Sequence, residues 1–257
     1  GAEVTVALDI PGIPEGLDGL DVDDLDGHPG GDVDGDPLTR GCHMTLLAET
    51  PAGYANLCRL LSEAHLQSER CRPTLRLSSL FARTEGLIAL TGCRRGPLSR
   101  ALENGVATAE FLARRLHAAF GYGNLFVELQ DNEQKGDGYR NRTLGRLADR
   151  LDIPVVATGN VHYHRPERHR LQDVLVAIRN RATLNGSHEQ RRANARFYLA
   201  APEEMAHRFQ SRPDALVHTL EIAERCAAFD LTKDLGYTFP NFDGSEHGGA
   251  VETLKAV

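Results

Sequence analysis

Apolar residues recur along the chain with two alternating rhythms. Short apolar runs predict strands at Glu3–Leu8, His43–Ala48, Gly86–Thr91, Leu125–Leu129 and Pro154–Ala157. Helical spacing between them predicts helices at Gly53–His65, Val106–Phe120 and Tyr139–Leu151. In the second of these, Ala109, Leu112, Leu116, Ala119 and Phe120 share one face. Strands alternating with amphipathic helices predict parallel βα units, with the connection from Glu128 to Val155 a right-handed crossover. Past residue 165 the strand rhythm stops. Helices are expected at Pro166–Arg179, Pro202–Phe209 and Pro213–Phe229, each with proline in its first turn. In the first, Leu171, Val174, Leu175 and Ile178 form one apolar face. No repeat of solenoid period is present.

One stretch breaks the rhythm. Residues 9 to 37 hold ten Asp and Glu, no Lys or Arg, and many Gly and Pro. Such a segment buries too little apolar surface to offset its ordering entropy, so a disordered insert is expected. A calcium loop fails on spacing: starting at Asp21 puts Leu25 at position 5, and starting at Asp32 puts Pro37 at position 6. The insert also dominates the charge. The whole chain is at -7, whereas the remainder is mildly basic, which permits nucleic-acid contact without requiring it.

Composition narrows the class further. The 257 residues are 41% hydrophobic and 25% charged, which suits one large or two small globular domains and excludes collagen-like, wholly disordered and disulfide-scaffold proteins. No run of about 18 apolar residues occurs, so no membrane span is expected. The start, Gly1-Ala2-Glu3, lacks a basic segment followed by an apolar one, and lacks an initiator Met. A fragment or a trimmed product is the expectation, without a secretory signal. Five cysteines and no CxxC fit a reducing cytoplasm better than a disulfide framework.

In a parallel α/β fold, ligands sit beyond the carboxyl ends of the strands. Cys93 follows the third strand, in Thr91-Gly92-Cys93-Arg94-Arg95-Gly96. Asn160 and His162 follow the fifth; His43 and Glu3 open their strands, and Glu128 lies within one. Thiolate, imidazole and carboxylate from separate strands suit zinc or a mixed-metal cluster. The Gly-flanked loop at Cys93 is equally an anion cradle, and a cysteine after a strand is equally a small core residue. His65, His117, His207 and His218 have no HxxxH partner, and read as surface or packing residues. No GxxxxGK[ST], GxGxxG or GxSxG occurs, which argues against a P-loop ATPase, a dinucleotide-binding module and a nucleophile-elbow hydrolase. Arg179, Arg181, Arg191, Arg192 and Arg196 crowd one stretch just before Phe197 and Tyr198. They suit a nucleic-acid backbone with base stacking, or else an exposed loop leading into a buried aromatic pair.

In order along the chain stand GAEVTVAL, HMTLLAETPAGYANLCRLLSEAH, GLIALTGCRRGPLSRAL, LFVELQ, VVATGNVHYHRPERHRLQDVLVAIRN, FYLAAPEEMAHRF and TLEIAERCAAFDLTKDLGYTFPNF. This series resembles the N-terminal region of bacterial C-family DNA polymerases of the alpha-subunit type, nearest their error-prone, damage-inducible branch. The likeness covers nearly all the chain outside the acidic insert. It implies a polymerase and histidinol phosphatase (PHP) domain, a distorted seven-stranded β/α barrel, followed by the start of the polymerase core. The fold class expected is thus α/β: an incomplete PHP-type barrel over residues 1–165, a helical segment over 166–242 and a flexible tail over 243–257.

The resemblance also implies roles. Glu3, His43, Cys93 and His162 match four of the nine ligands of complete PHP metal sites. Asn160 stands where the family's Asp-x-His motif has its Asp, and offers no negative charge. Zinc or manganese at a degenerate site is the implied cofactor. The HxH strand would precede Gly1 and the polymerase carboxylates would follow Val257, so no catalytic residue is assigned. An open barrel of this kind is expected to expose a sheet edge. The parent would be a cytoplasmic, magnesium-dependent polymerase acting on primer-template DNA and deoxynucleotides in translesion synthesis, with other translesion or replication proteins as partners. The alternatives are a metal-dependent phosphoesterase of the PHP superfamily and a docking module with an acidic arm.

Overall fold

A computed structural model describes residues 1–9, 11, 41–70 and 72–236. Nearly all of the acidic stretch and the tail over 243–257 lie outside the described residues.

Six strands form one sheet: β1 (Ala2–Ala7), β2 (Cys42–Ala48), β3 (Leu75–Arg76), β4 (Leu87–Leu90), β5 (Leu125–Gln130) and β6 (Val155–Thr158). Their order is β3-β1-β2-β4-β5-β6. The helices are α1 (Pro51–Gln67), α2 (Leu77–Phe81), α3 (Pro97–Glu103), α4 (Val106–Phe120), α5 (Asp137–Leu151), α6 (His169–Arg179), α7 (Pro202–Arg208) and α8 (Pro213–Ala227). This is the mixed α/β class the resemblance implied, an incomplete barrel with a helical segment after it.

The parallel pattern holds for β1–β3, β4–β5 and β5–β6 and fails at β2, which runs antiparallel to both neighbours. The connecting sequence bears on the β1–β2 pair alone, since α1 lies between β2 and β4 and that pair is antiparallel as well. A parallel return needs a crossover, usually a helix; between β1 and β2 the sequence has the Asp-Gly-Pro stretch instead. Three elements escaped the periodicity: β3, α2 and α3, whose two to seven residues are too few to establish a period.

Alternation along the strands divides the core in two. Leu87 and Ala89 of β4, Leu125, Val127 and Leu129 of β5, and Val155 and Ala157 of β6 face the helical layer. There they pack with Leu112 and Leu116 of α4 and Leu144 and Leu147 of α5. Ile88, Leu90, Phe126 and Val156 face the other way and are covered by Ile222 of α8. Parallel strands buried on both faces read as continuous apolar runs, which is why LIAL and LFV look featureless in sequence.

α8 also covers the β6 edge of the sheet through side-chain hydrogen bonds. The Val127 N–H of β5 donates to the carbonyl of Pro154, just before β6, at 2.9 Å, so the carbonyls of Val155 and Ala157 point to the outer side. His218 Nδ1 lies 2.8 Å from Val155 O, and Thr219 Oγ1 donates to Ala157 O at 3.2 Å. His218, read from sequence as a surface or packing residue, is therefore an edge cap whose proton sits on Nδ1. Arg225 fixes the far end of α8, donating to Glu49 Oε2 (2.9 Å), Gly123 O (2.5 Å) and Asn124 Oδ1 (2.6 Å).

His218→Leu strands the Val155 carbonyl and is expected to cost about 1–2 kcal/mol in denaturant unfolding, with faster amide exchange in β6. Thr143→Val, on the exposed face of α5, is expected to stay within about 0.5 kcal/mol of the parent.

Candidate functional site

Three expected ligands meet where β1, β2 and the loop after β4 come together. The antiparallel register sets Thr5 opposite His43 and Glu3 opposite Thr45, which places Glu3 and His43 diagonally on one face. Glu3 Oε1 lies 3.4 Å from His43 Nδ1, and Cys93 Sγ lies 3.9 Å from the same nitrogen. The imidazole is largely buried, at 10% side-chain exposure, whereas the carboxylate is 61% exposed. The loop carrying Cys93 is held against β2 by the His43 N–H on Arg95 O (3.0 Å). Gly92 permits that approach. Its φ is +82°, and a Cβ there would fall 1.8 Å from His43 O. The Arg95 N–H donates to Cys93 Sγ at 3.4 Å.

Asn160 and His162 form a second corner past the end of β6. Asn160 takes a left-handed φ of 45°, which asparagine tolerates better than most residues. Its side-chain amide lies 3.0 Å from His162 Nε2. Arg192 Nη2 donates to that same Nε2 at 2.6 Å, so the nitrogen is an unprotonated acceptor. An amide oxygen beside it would set lone pair against lone pair, so the amide nitrogen belongs on that side. Arg192 stacks on Phe197 with Cζ 4.2 Å from the ring centre, and the His162 ring meets the same phenyl edge-on at 6.0 Å. A guanidinium thus uses the Nε2 lone pair, and as placed that nitrogen is not open to a metal ion. Among the described residues, no group of three or more His, Cys, Asp and Glu is placed to hold one.

Glu128 lies between the corners, fully inside the sheet. Its carboxylate accepts from Thr158 Oγ1 and from Gln130 Nε2 (2.8 Å), and its N–H donates to Thr91 Oγ1 at 3.0 Å. Burial pushes its pKa above the usual carboxylate range, opposed by the hydrogen bonds from Thr158, Gln130 and the Gly92 backbone. Sequence reading placed Glu128 in a strand but had no signal for this network, because Gln130 and Thr158 belong to different strands.

Arg191, Arg192 and Arg196 of the arginine-rich stretch are tied down within the chain. Arg191 pairs with Asp173 (3.2 Å), Arg192 holds His162, and Arg196 pairs with Glu133 (3.0 Å) and Glu204 (3.6 Å). Arg179 and Arg181 lie exposed at the end of α6. Phe197 is fully buried and presents no face to a base. Asn132 is the hub that sequence gave no hint of. Its amide donates to Gly159 O (2.9 Å) and Arg196 O (3.1 Å), and its carbonyl accepts from Asn194 (2.8 Å). The end of β5, the end of β6 and the arginine stretch are thereby joined.

Arg192→Met is expected to lower stability by about 2–4 kcal/mol, through loss of a charge-assisted hydrogen bond and a stacked cation. Arg192→Lys is expected to restore less than about half of that, because an ammonium has no planar face to stack. For Glu128, a raised folded-state pKa means the native state holds its proton longer than the unfolded chain. Stability is then lost as pH rises out of the carboxylate range. Glu128→Gln is expected to exceed the parent in stability at pH 8, with the gap closing towards pH 4 in urea melts at both values.

The PHP domain model matches residues 1–132. An error-prone DNA polymerase of Symbiobacterium thermophilum is 40% identical over 226 residues, covering 81% of this chain and 21% of that polymerase. A DNA polymerase III alpha subunit of Treponema pallidum is 35% identical, covering 72% of this chain and 16% of the subunit. An error-prone DNA polymerase of Mycolicibacterium paratuberculosis is 37% identical, covering 74% and 18%. The chain thus spans about a fifth of the length of the curated relatives it matches. With the partial barrel and the ligand-type residues at its strand ends, these matches place the chain in the PHP domain family, homologous to part of the error-prone and alpha-subunit DNA polymerases.

Proposed function

We propose that this chain is the PHP-bearing part of an error-prone DNA polymerase and serves there as a scaffold, without catalysis of its own. The observation that carries the reading is the length of the likeness. Identity of 40% runs over 226 residues, whereas the PHP model ends at residue 132. With 81% of the chain covered, the likeness therefore runs past β6 into the helices that follow. The internal cation at the Asn160–His162 corner supports a structural rather than a hydrolytic role. In this reading the parent enzyme adds deoxynucleotides to a primer 3′-hydroxyl by magnesium-assisted phosphoryl transfer on carboxylates outside the chain. Its setting is damage-induced translesion synthesis in the cytoplasm, with primer-template DNA, deoxynucleotides and other translesion or replication proteins as partners. Arg179 and Arg181 are the arginines best exposed for a phosphate backbone.

A second reading has one observation in its favour. Glu3, His43 and Cys93 line up at 3.4 and 3.9 Å, a start on a zinc or manganese site for a phosphoesterase of the PHP superfamily.

The purified chain is expected neither to extend a primer nor to hydrolyse bis(p-nitrophenyl) phosphate with added manganese. A chimera is expected to extend primers when this chain replaces the matching region of the Symbiobacterium thermophilum polymerase. Unaided extension by the chain would overturn the scaffold assignment. Phosphodiesterase turnover abolished by His43→Ala would establish the second reading in its place.

A further inference from the structure

The helix α6 has an apolar face that no described residue covers. Leu171, Val174, Leu175 and Ile178 stand at helical spacing, and are 50%, 38%, 52% and 67% exposed. The buried residues of α6 are instead Val176 and Ala177, so the helix is anchored by its smaller apolar side and turns the larger one outward. At 3.6 residues per turn, Arg170 and Arg179 fall about 90° to either side of the stripe's centre, and both are exposed. Arg168 and Arg181 stand just beyond the two ends of the helix and are exposed as well. Glu167, in the turn that leads into the helix, is also exposed, so the apolar stripe has a rim that is cationic on balance, with one carboxylate at its N-terminal end.

The rim selects the occupant. A second copy laid stripe to stripe would bring arginines against arginines, and like charges at such a seam are unfavourable. A partner that covers four large apolar side chains and meets the guanidinium groups of Arg168, Arg170 and Arg181 needs an apolar centre bordered by carboxylates. The relatives carry about four-fifths of their length outside the stretch matched here, whose 226 residues are enough to reach the α6 region.

We propose that the α6 stripe is the seat on which the remainder of the polymerase polypeptide docks, through an apolar patch rimmed by Asp and Glu. The inference rests on the polymerase reading above and adds a location and a chemistry to it. The stripe's exposure and the rim's charge then have one cause. Both are complementary to a part of the same polypeptide lying outside this chain. A ridge of this kind also fixes orientation, because a helix face admits a partner in few registers.

Single cysteines test it. Ile178→Cys on the stripe and Leu66→Cys on α1, itself 85% exposed, are introduced into the chain and into the chimera with the Symbiobacterium thermophilum polymerase. Maleimide labelling is read site by site by mass spectrometry. Leu175→Cys serves if Ile178→Cys lowers the melting temperature. The expected result is rapid labelling of both sites in the isolated chain. In the chimera, labelling at Ile178→Cys is slowed at least ~10-fold and that at Leu66→Cys is unchanged. Equal rates at Ile178→Cys in chain and chimera would overturn the proposal. So would slow labelling already in the isolated chain, which means a cover from its own segments or from a second copy. Protection by anionic phosphatidylserine vesicles but not in the chimera would overturn it in favour of a membrane surface. Primer extension by the chimera is scored separately. Extension without protection sinks the docking seat alone, whereas protection without extension sinks the polymerase reading alone.

Discussion

Strands β4, β5 and β6 must be buried on both faces, and most of the architecture answers that demand. Apart from Glu128, Gln130 and Thr158 their sequences are apolar on both faces, so a helical layer on one face alone would leave Ile88, Leu90, Phe126 and Val156 wet. α8 supplies the missing cover through Ile222. It also caps the outward carbonyls of β6 with His218 and Thr219. A helix far along the chain is thereby part of the same packing unit as the strands. The hydrophobic term drives the association, and the polar caps remove the cost of an unpaired strand edge.

The same constraint locates the chemistry. Inside the sheet Thr158 and Gln130 both donate to Glu128 Oε1, and Thr91 takes the Glu128 N–H, while Glu128 Oε2 is buried without a hydrogen-bond partner. The remaining polar groups collect past the strand ends. The loop after β4 brings Cys93 to His43 and Glu3, and the turn after β6 brings Asn160 and His162 to Arg192. Asn132 then ties the second corner to the arginine stretch. With asparagine rather than aspartate at position 160, the corner lacks a carboxylate. It is completed by a guanidinium held on Phe197, and both partners of the cation come from this chain.

Much was legible before any coordinates. Val106–Phe120 was bounded to the residue, and the five long strands to within one or two residues at either end, because each carries a full period of its pattern. The order of the family motifs was equally plain. The direction of β2 was not, because period-two alternation is the same for either direction of travel. Nor was the outward face of α6. Its stripe looked like any core-facing stripe, and only packing could show that Val176 and Ala177 are the residues that turn inward.

Sequence alone therefore determined the element types, the residues with ligand chemistry and the kinship to polymerases. Those follow from local periodicity, side-chain identity and motif order, all of which are one-dimensional. Tertiary structure decided which of those residues meet. His218 became a cap on β6, Arg192 the partner of His162 Nε2, and Arg191 and Arg196 partners of acidic side chains. Each of these outcomes depends on two segments far apart in sequence arriving within hydrogen-bond distance, and no local pattern encodes that distance.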